Sequence, residues 1–321
     1  MTLTRFPFPL TSDRFQYRTN VEPARGFVET ETGGWGGTVF DIDADYATAL
    51  AERERILLAD PSRCVRPPHM RAAAWDTLLT VLGELAAEFP RHMRLDRDAS
   101  TYRWHNALLG VTQEFELGDE ASLPCDPLRF AASQVQDDLV LLDQREDTLW
   151  VDAGLVTFAA GWSLGFDAGM RFGEIHGPVP RLREEGVVER SERFLLRLRA
   201  GLDFRRTNWS MTVGRRLDTS IESRPDWKPD WYGIAIDELL PWRLHLRVEV
   251  QHLIRLSTSG AILFTIRTYL ASLAEIAEVP AWRRRLAAVL ADLPPDVAEY
   301  KGLTECLPAA VRWLRSGASA S

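Results

Sequence analysis

One segment constrains the fold more than any other. Leu244, Leu246, Val248 and Val250 alternate with His245, Arg247, Glu249 and Gln251, a period of two that an extended strand places on opposite faces. Ser257-Thr258-Ser259-Gly260 follows with turn chemistry, and Ala261 to Ile266 reads as a return strand, so a β-hairpin is predicted. A polar row on a strand is ordinarily the solvent face of an antiparallel sheet. If that face looks into a cavity instead, Arg247 and Gln251 would bind or orient a polar ligand, and Glu249 would hold an amine or act as a base. Arg255 lies further along the same alternation. The pattern alone leaves both readings open.

Shorter runs at Leu139–Leu142, Leu149–Val151, Leu155–Phe158 and Thr207–Val213 also read as strands. Helical spacing appears around Tyr46, Leu50, Ile56 and Leu57, with Asp41 or Asp43 as a cap, and again from Met70 to Glu88 before Pro90. A further amphipathic helix is predicted from Val187 to Phe204, and helices with proline breaks from Ala271 to Leu314. Residues 1–41 look irregular. The expected class is α+β, with antiparallel strands in the middle and helices at both ends. The expected division is a helical region over 1–130, a core over 131–275 and a helical extension over 276–321.

The chain has 321 residues and a formal charge of −8, a poor basis for general nucleic-acid binding. No apolar run approaches the roughly 20 residues a membrane helix needs, and the first residues do not resemble a signal peptide. Three scattered cysteines, Cys64, Cys125 and Cys306, argue against a cysteine-rich metal site and for a reducing, cytoplasmic setting. No GxGxxG, phosphate loop, GxSxG or HExxH is present. Among the six histidines, His69 and His92 sit in polar contexts that suggest solvation. His245 and His252 fall on opposite strand faces. His176 differs because Gly177, Pro178 and Pro180 surround it with a bare, stiffened backbone. A single imidazole suffices for the axial bond to haem iron, since porphyrin supplies the equatorial ligands. On the bare motif, a structural or solvated histidine is the commoner outcome. Trp227, Trp231 and Trp242 read as core by default, with a subunit interface as the other reading.

Several blocks in order carry a resemblance. They are Trp162-Ser163 leading to Gly169 and Ile175-His176-Gly177-Pro178-Val179-Pro180, then Arg206-Thr207-Asn208-Trp209-Ser210, then Leu246 to Leu256 with Ser259 to Tyr269. Together with the helices around Tyr46 and up to Phe89-Pro90, they resemble the haem-dependent oxidative N-demethylase alpha-subunit family over roughly residues 5 to 280. The resemblance implies a PAS-like antiparallel core binding haem b, with His176 as the iron ligand and Pro178, Asn208 and Arg255 near the cofactor. Glu249, Arg247 and Gln251 become the candidate catalytic residues. The implied activity is monooxygenase-type removal of a methyl group from a small amine by dioxygen, with electrons from a separate reductase; nucleic acid and membrane are not expected partners, and a homodimer is left open. A haem-binding sensor and a non-catalytic ligand-binding protein are the rival readings. Departures from the family pattern are Asp167 near an expected Lys, Val250 within a Glu-Arg-Gln run, Ser257 for Pro after Arg255-Leu256, and Thr157-Phe158-Ala159-Ala160 for Cys-Phe-Pro-Ser.

Overall fold

The computed structural model describes residues 3–17 and 19–317. The predicted hairpin lies at the centre of an eight-stranded antiparallel sheet. Leu244–Arg255 pairs with Ile262–Ser272 without interruption from His245 opposite Ser272 to Arg255 opposite Ile262. The return strand therefore runs past Ile266, because Arg267 and Thr268, polar in the sequence, are themselves buried and paired. Asp76, on a helix, holds the connecting turn: its Oδ2 accepts from Thr258 N, Ser259 N and Ser259 Oγ at 2.8, 2.7 and 3.0 Å.

Phe204–Val213 flanks the central strand, while Asp138–Arg145 and then Thr148–Leu155 continue the sheet beyond the return strand. Glu22–Pro23 covers the outer edge of Phe204–Val213 for only two rungs. Exposed edge carbonyls need other partners, and two are met by side chains: Asn20 Nδ2 donates to Thr207 O at 3.3 Å and Lys301 Nζ to Trp209 O at 2.8 Å.

Helices cover one face. Arg71–Glu88, buried through Trp75, Leu78, Leu82 and Leu85, packs with Leu139, Leu141, Ile254 and Leu263. Pro280–Ala291 and Leu307–Ser316 cover Leu246, Val248 and Tyr269, around a Trp282 stacked flat on Phe8 at 4.7 Å. Area burial of this kind is the dominant stabilising contribution, about 25 cal/mol per Å². The opposite face is covered by chain between the strands. Val140, Leu142, Leu149, Val151 and Ile266 lie there beneath Phe172, Ile175 and Val188.

The architecture is α+β with antiparallel sheets, as expected. Residues 1–130 hold more than helices, however. Met93–Asp98, Thr101–Asn106 and Val111–Glu116 form an antiparallel three-stranded sheet. Tyr102, Trp104 and Asn106 point inward, while charged outer strands disguise the alternation. Phe27–Thr30 and Gly33–Gly36 form a hairpin inside the supposedly irregular N-terminal stretch. The helix predicted to Phe204 stops at Leu196. Among the described residues, no helix is long and apolar enough to cross a membrane.

Candidate functional site

The polar row of the central strand is not a solvent face. Arg247, Glu249 and Gln251 are 0%, 5% and 6% exposed. Two loops cover them, joined by a parallel bridge between Ala160 and Thr219 and by Gly161 N donating to Thr219 O at 2.8 Å. Arg247 ties the cover down: it donates to the carbonyls of Leu217 (2.7 Å) and Phe158, to Thr268 Oγ1 (2.9 Å) and to Glu249 Oε1 (3.2 Å). All its nitrogens are engaged, so this guanidinium is an anchor for the cover.

Glu249 gathers three donors: Arg247 Nε, Gln251 Nε2 at 3.0 Å and Asn208 Nδ2 at 3.4 Å. Pairing across the strands explains the convergence, because Asn208 stands opposite Glu249 and Arg206 opposite Gln251. Those last two differ from their neighbours. Gln251 Oε1 and Arg206 Nε are enclosed and have no hydrogen-bond partner. Arg206 is partly exposed, with its Nε enclosed. Burial lowers its pKa, and Glu249 opposes that shift.

Lys301 reaches the same region from the C-terminal helices, its ammonium 4.5 Å from the Trp209 ring centre. Burial pulls its pKa down to about 8, against the attraction of Glu249 and with the repulsion of Arg206. Tyr300 beside it is raised by burial, then by the charges of Asp167 and Glu249. Asp167 itself is pushed up to about 6 by burial and Glu222.

His176 closes a one-turn helix, Phe172–Ile175, rather than standing in an open loop. Its Nδ1 faces Phe172 O at 2.8 Å and its ring packs 4.4 Å from the Phe172 ring. A carbonyl partner makes Nδ1 the protonated nitrogen and leaves the Nε2 lone pair free. Burial holds the imidazole below its ordinary pKa, and Arg206 pushes the same way; both keep it neutral, the form that binds metals.

The remaining candidates separate. Asn208 joins Glu249, but Pro178 is exposed and stiffens the turn from outside. Arg255 donates to Leu195 O, Leu196 O and Leu198 O at 2.9, 3.3 and 3.1 Å. It caps the helix Val187–Leu196, which is why that helix ends there. His252 is enclosed on the opposite sheet face, where burial drives its pKa to about 3. His69 bonds Asp152 at 2.8 Å, and His105 faces Thr112 Oγ1 at 3.1 Å. Trp242 is exposed, not core.

Sequence reasoning missed Arg206 and Lys301 as site residues. Arg206 shares a strand face with Asn208, so alternation carries a signal for it. Lys301 has none, since only the tertiary fold brings it to Trp209. The family model described as "Haem-dependent oxidative N-demethylase, alpha subunit-like" matches residues 35–311, a span that includes His176, Arg206, the central strand and Lys301.

Proposed function

Because the chain belongs to the haem-dependent oxidative N-demethylase alpha-subunit-like family, we propose that it is an oxidative enzyme that removes a methyl group from a small amine at haem b. The observation that carries this reading is His176: Nδ1 committed to a backbone carbonyl, Nε2 free, the ring neutral and packed beside an apolar wall. A backbone acceptor on the other ring nitrogen is the usual support of an iron-bound imidazole. Orphaned polar atoms on Arg206 and Gln251 supply the second half of the fit, since enclosed polar groups left unpaired are costly unless a ligand meets them.

His176 would hold the iron, and the apolar cluster of Val140, Leu142, Val151 and Ile266 would keep its surroundings apolar. The cofactor supplies dioxygen activation. This chain's residues hold and shape the rest. Arg247 keeps the cover closed against water, while Asn208 and Gln251 orient the Glu249 carboxylate toward a substrate amine. Overall, an N–CH3 group, dioxygen, two electrons and two protons give N–H, formaldehyde and water. The electrons come from a separate reductase polypeptide, and the sheet with its flanking helices is read as a PAS-like core.

The test is a visible spectrum of protein reconstituted with haemin, before and after dithionite and carbon monoxide. A Soret band is expected, and His176→Ala should abolish or shift it. An unchanged spectrum in that variant overturns the axial assignment. Formaldehyde release from small methylamines in the presence of a reductase then tests the reaction.

A further inference from the structure

Four arginines buried against the main sheet are each held by hydrogen bonds or ion pairs, and the partly buried Arg206 lies beside them. Arg53 donates to six residues, Arg205 pairs with Glu22 and two carbonyls, Arg247 ties down the cover, and Arg267 pairs with Asp43. Arg206 alone among them has no hydrogen bond or ion pair within the described residues. An enclosed N–H without an acceptor is costly, so the Arg206 Nε calls for an acceptor that arrives from outside the chain.

The rung holding Arg206 also holds Gln251. The amide of Gln251 cannot turn freely, because its Nε2 donates to Glu249 at 3.0 Å, and the flipped amide would set oxygen against carboxylate. Oε1 is therefore turned away from Glu249 as an unmet acceptor. One rung presents one orphan donor and one orphan acceptor. Arg206, Arg247 and Lys301 all feel or pair with the Glu249 carboxylate, which already accepts from Arg247, Gln251 and Asn208. A bare alkylammonium brings donors only.

We propose that the preferred substrate is an N-methylamine that also carries a carboxylate, an N-methyl amino acid, with the carboxylate on Arg206 and the amine N–H on Gln251 Oε1. This rests on the haem-enzyme reading of the same site and narrows its substrate class. Lys301, beside Arg206 at the sheet edge, reinforces the anionic end. The methyl group is then turned away from the polar rung, toward the side from which His176 approaches.

The experiment is isothermal titration calorimetry of the haem-reconstituted protein with N-methylglycine, dimethylamine and acetate as probes. A hydrogen-bonded charge pair corresponds to roughly 10- to 100-fold in affinity, so N-methylglycine should bind about 30-fold more tightly than dimethylamine. Arg206→Gln should weaken N-methylglycine binding far more than dimethylamine binding and so erase that preference, and Arg206→Lys should retain part of it. Circular dichroism confirms that each variant is folded. Equal or tighter binding of dimethylamine by the unaltered protein overturns the proposal. So does an Arg206→Gln protein that loses haem but keeps the ligand preference, which would assign the guanidinium to a haem propionate. Should the protein stay colourless with haemin, the haem reading fails, and the same titrations on the colourless protein still decide whether the rung selects a carboxylate.

Discussion

Arg53 and Arg206 are both drawn inside the protein beside the sheet, and they are treated in opposite ways. Arg53 meets Thr157 Oγ1, the carbonyls of Ala132, Val135, Gln136 and Asp137, and the Asp138 carboxylate at 3.2 Å. Asp138 in turn accepts from Thr157 N at 2.9 Å and Phe158 N at 2.8 Å. Nothing in that clamp is left for a ligand. Among the described residues Arg206 makes no hydrogen bond, and its cross-strand neighbour Gln251 keeps a free acceptor. Phe158 belongs to both regions, since its N–H is held by Asp138 and its carbonyl by Arg247. The clamp thus fixes the cover over the polar row, and the difference separates a charge that builds the fold from one the proposal assigns to a ligand.

The largest expected effect breaks the clamp. Removing one partner of a buried, hydrogen-bonded pair costs about 3–5 kcal/mol, so Arg53→Ala should lose roughly that much in urea denaturation. Arg206→Gln should change stability by less than ~1 kcal/mol, because no native pair is lost and an uncompensated charge is removed. Comparable losses in the two variants would erase the distinction.

Across the sheet, the helix-covered face pairs two enclosed groups with opposite pH behaviour. Burial raises Asp137 to about 7 from its ordinary 3.8 and lowers His252 to about 3 from its ordinary 6.5. The folded protein keeps the Asp137 proton that the unfolded chain releases, so this contribution is full at low pH and is lost as pH rises toward 7. The folded protein refuses the His252 proton that the unfolded chain takes up, so that contribution is full above 6.5 and is lost as pH falls toward 3. Between about pH 4 and 6.5 the two slopes oppose, each about 1.4 kcal/mol per pH unit. Relative to the unaltered protein, Asp137→Asn should make stability rise with pH in that window, and His252→Asn should make it fall. Parallel profiles would show that this face carries no such balance.

The central hairpin was legible because alternation over eight residues leaves few alternatives to a strand. Its burial was not, since the same alternation describes a half-exposed strand, and only the loops at Ala160 and Thr219 decide the matter. His176 was legible through its neighbours, Gly177, Pro178 and Pro180, but its Phe172 partner became visible only with the one-turn helix. Arg255 looked like a pocket residue because it shares the alternation; the carbonyls it caps belong to a helix distant in sequence. Lys301 shows the limit most clearly, as a contact set by how an edge strand finds partners for its carbonyls.

The smallest effect concerns a charge spent on holding a turn. Asp76 accepts from two N–H groups and one hydroxyl of the hairpin turn. All three donors are only partly buried, so water can replace some of what Asp76→Ala removes, and a loss of about 1–2 kcal/mol is expected. Asp76→Asn keeps an acceptor oxygen and should lose less. Because the turn lies at the far end of the strand from Arg247, neither variant should alter the haem spectrum. A spectral change would mean that the hairpin transmits its register to the pocket, and the separation between structural and binding charges would then have to be redrawn.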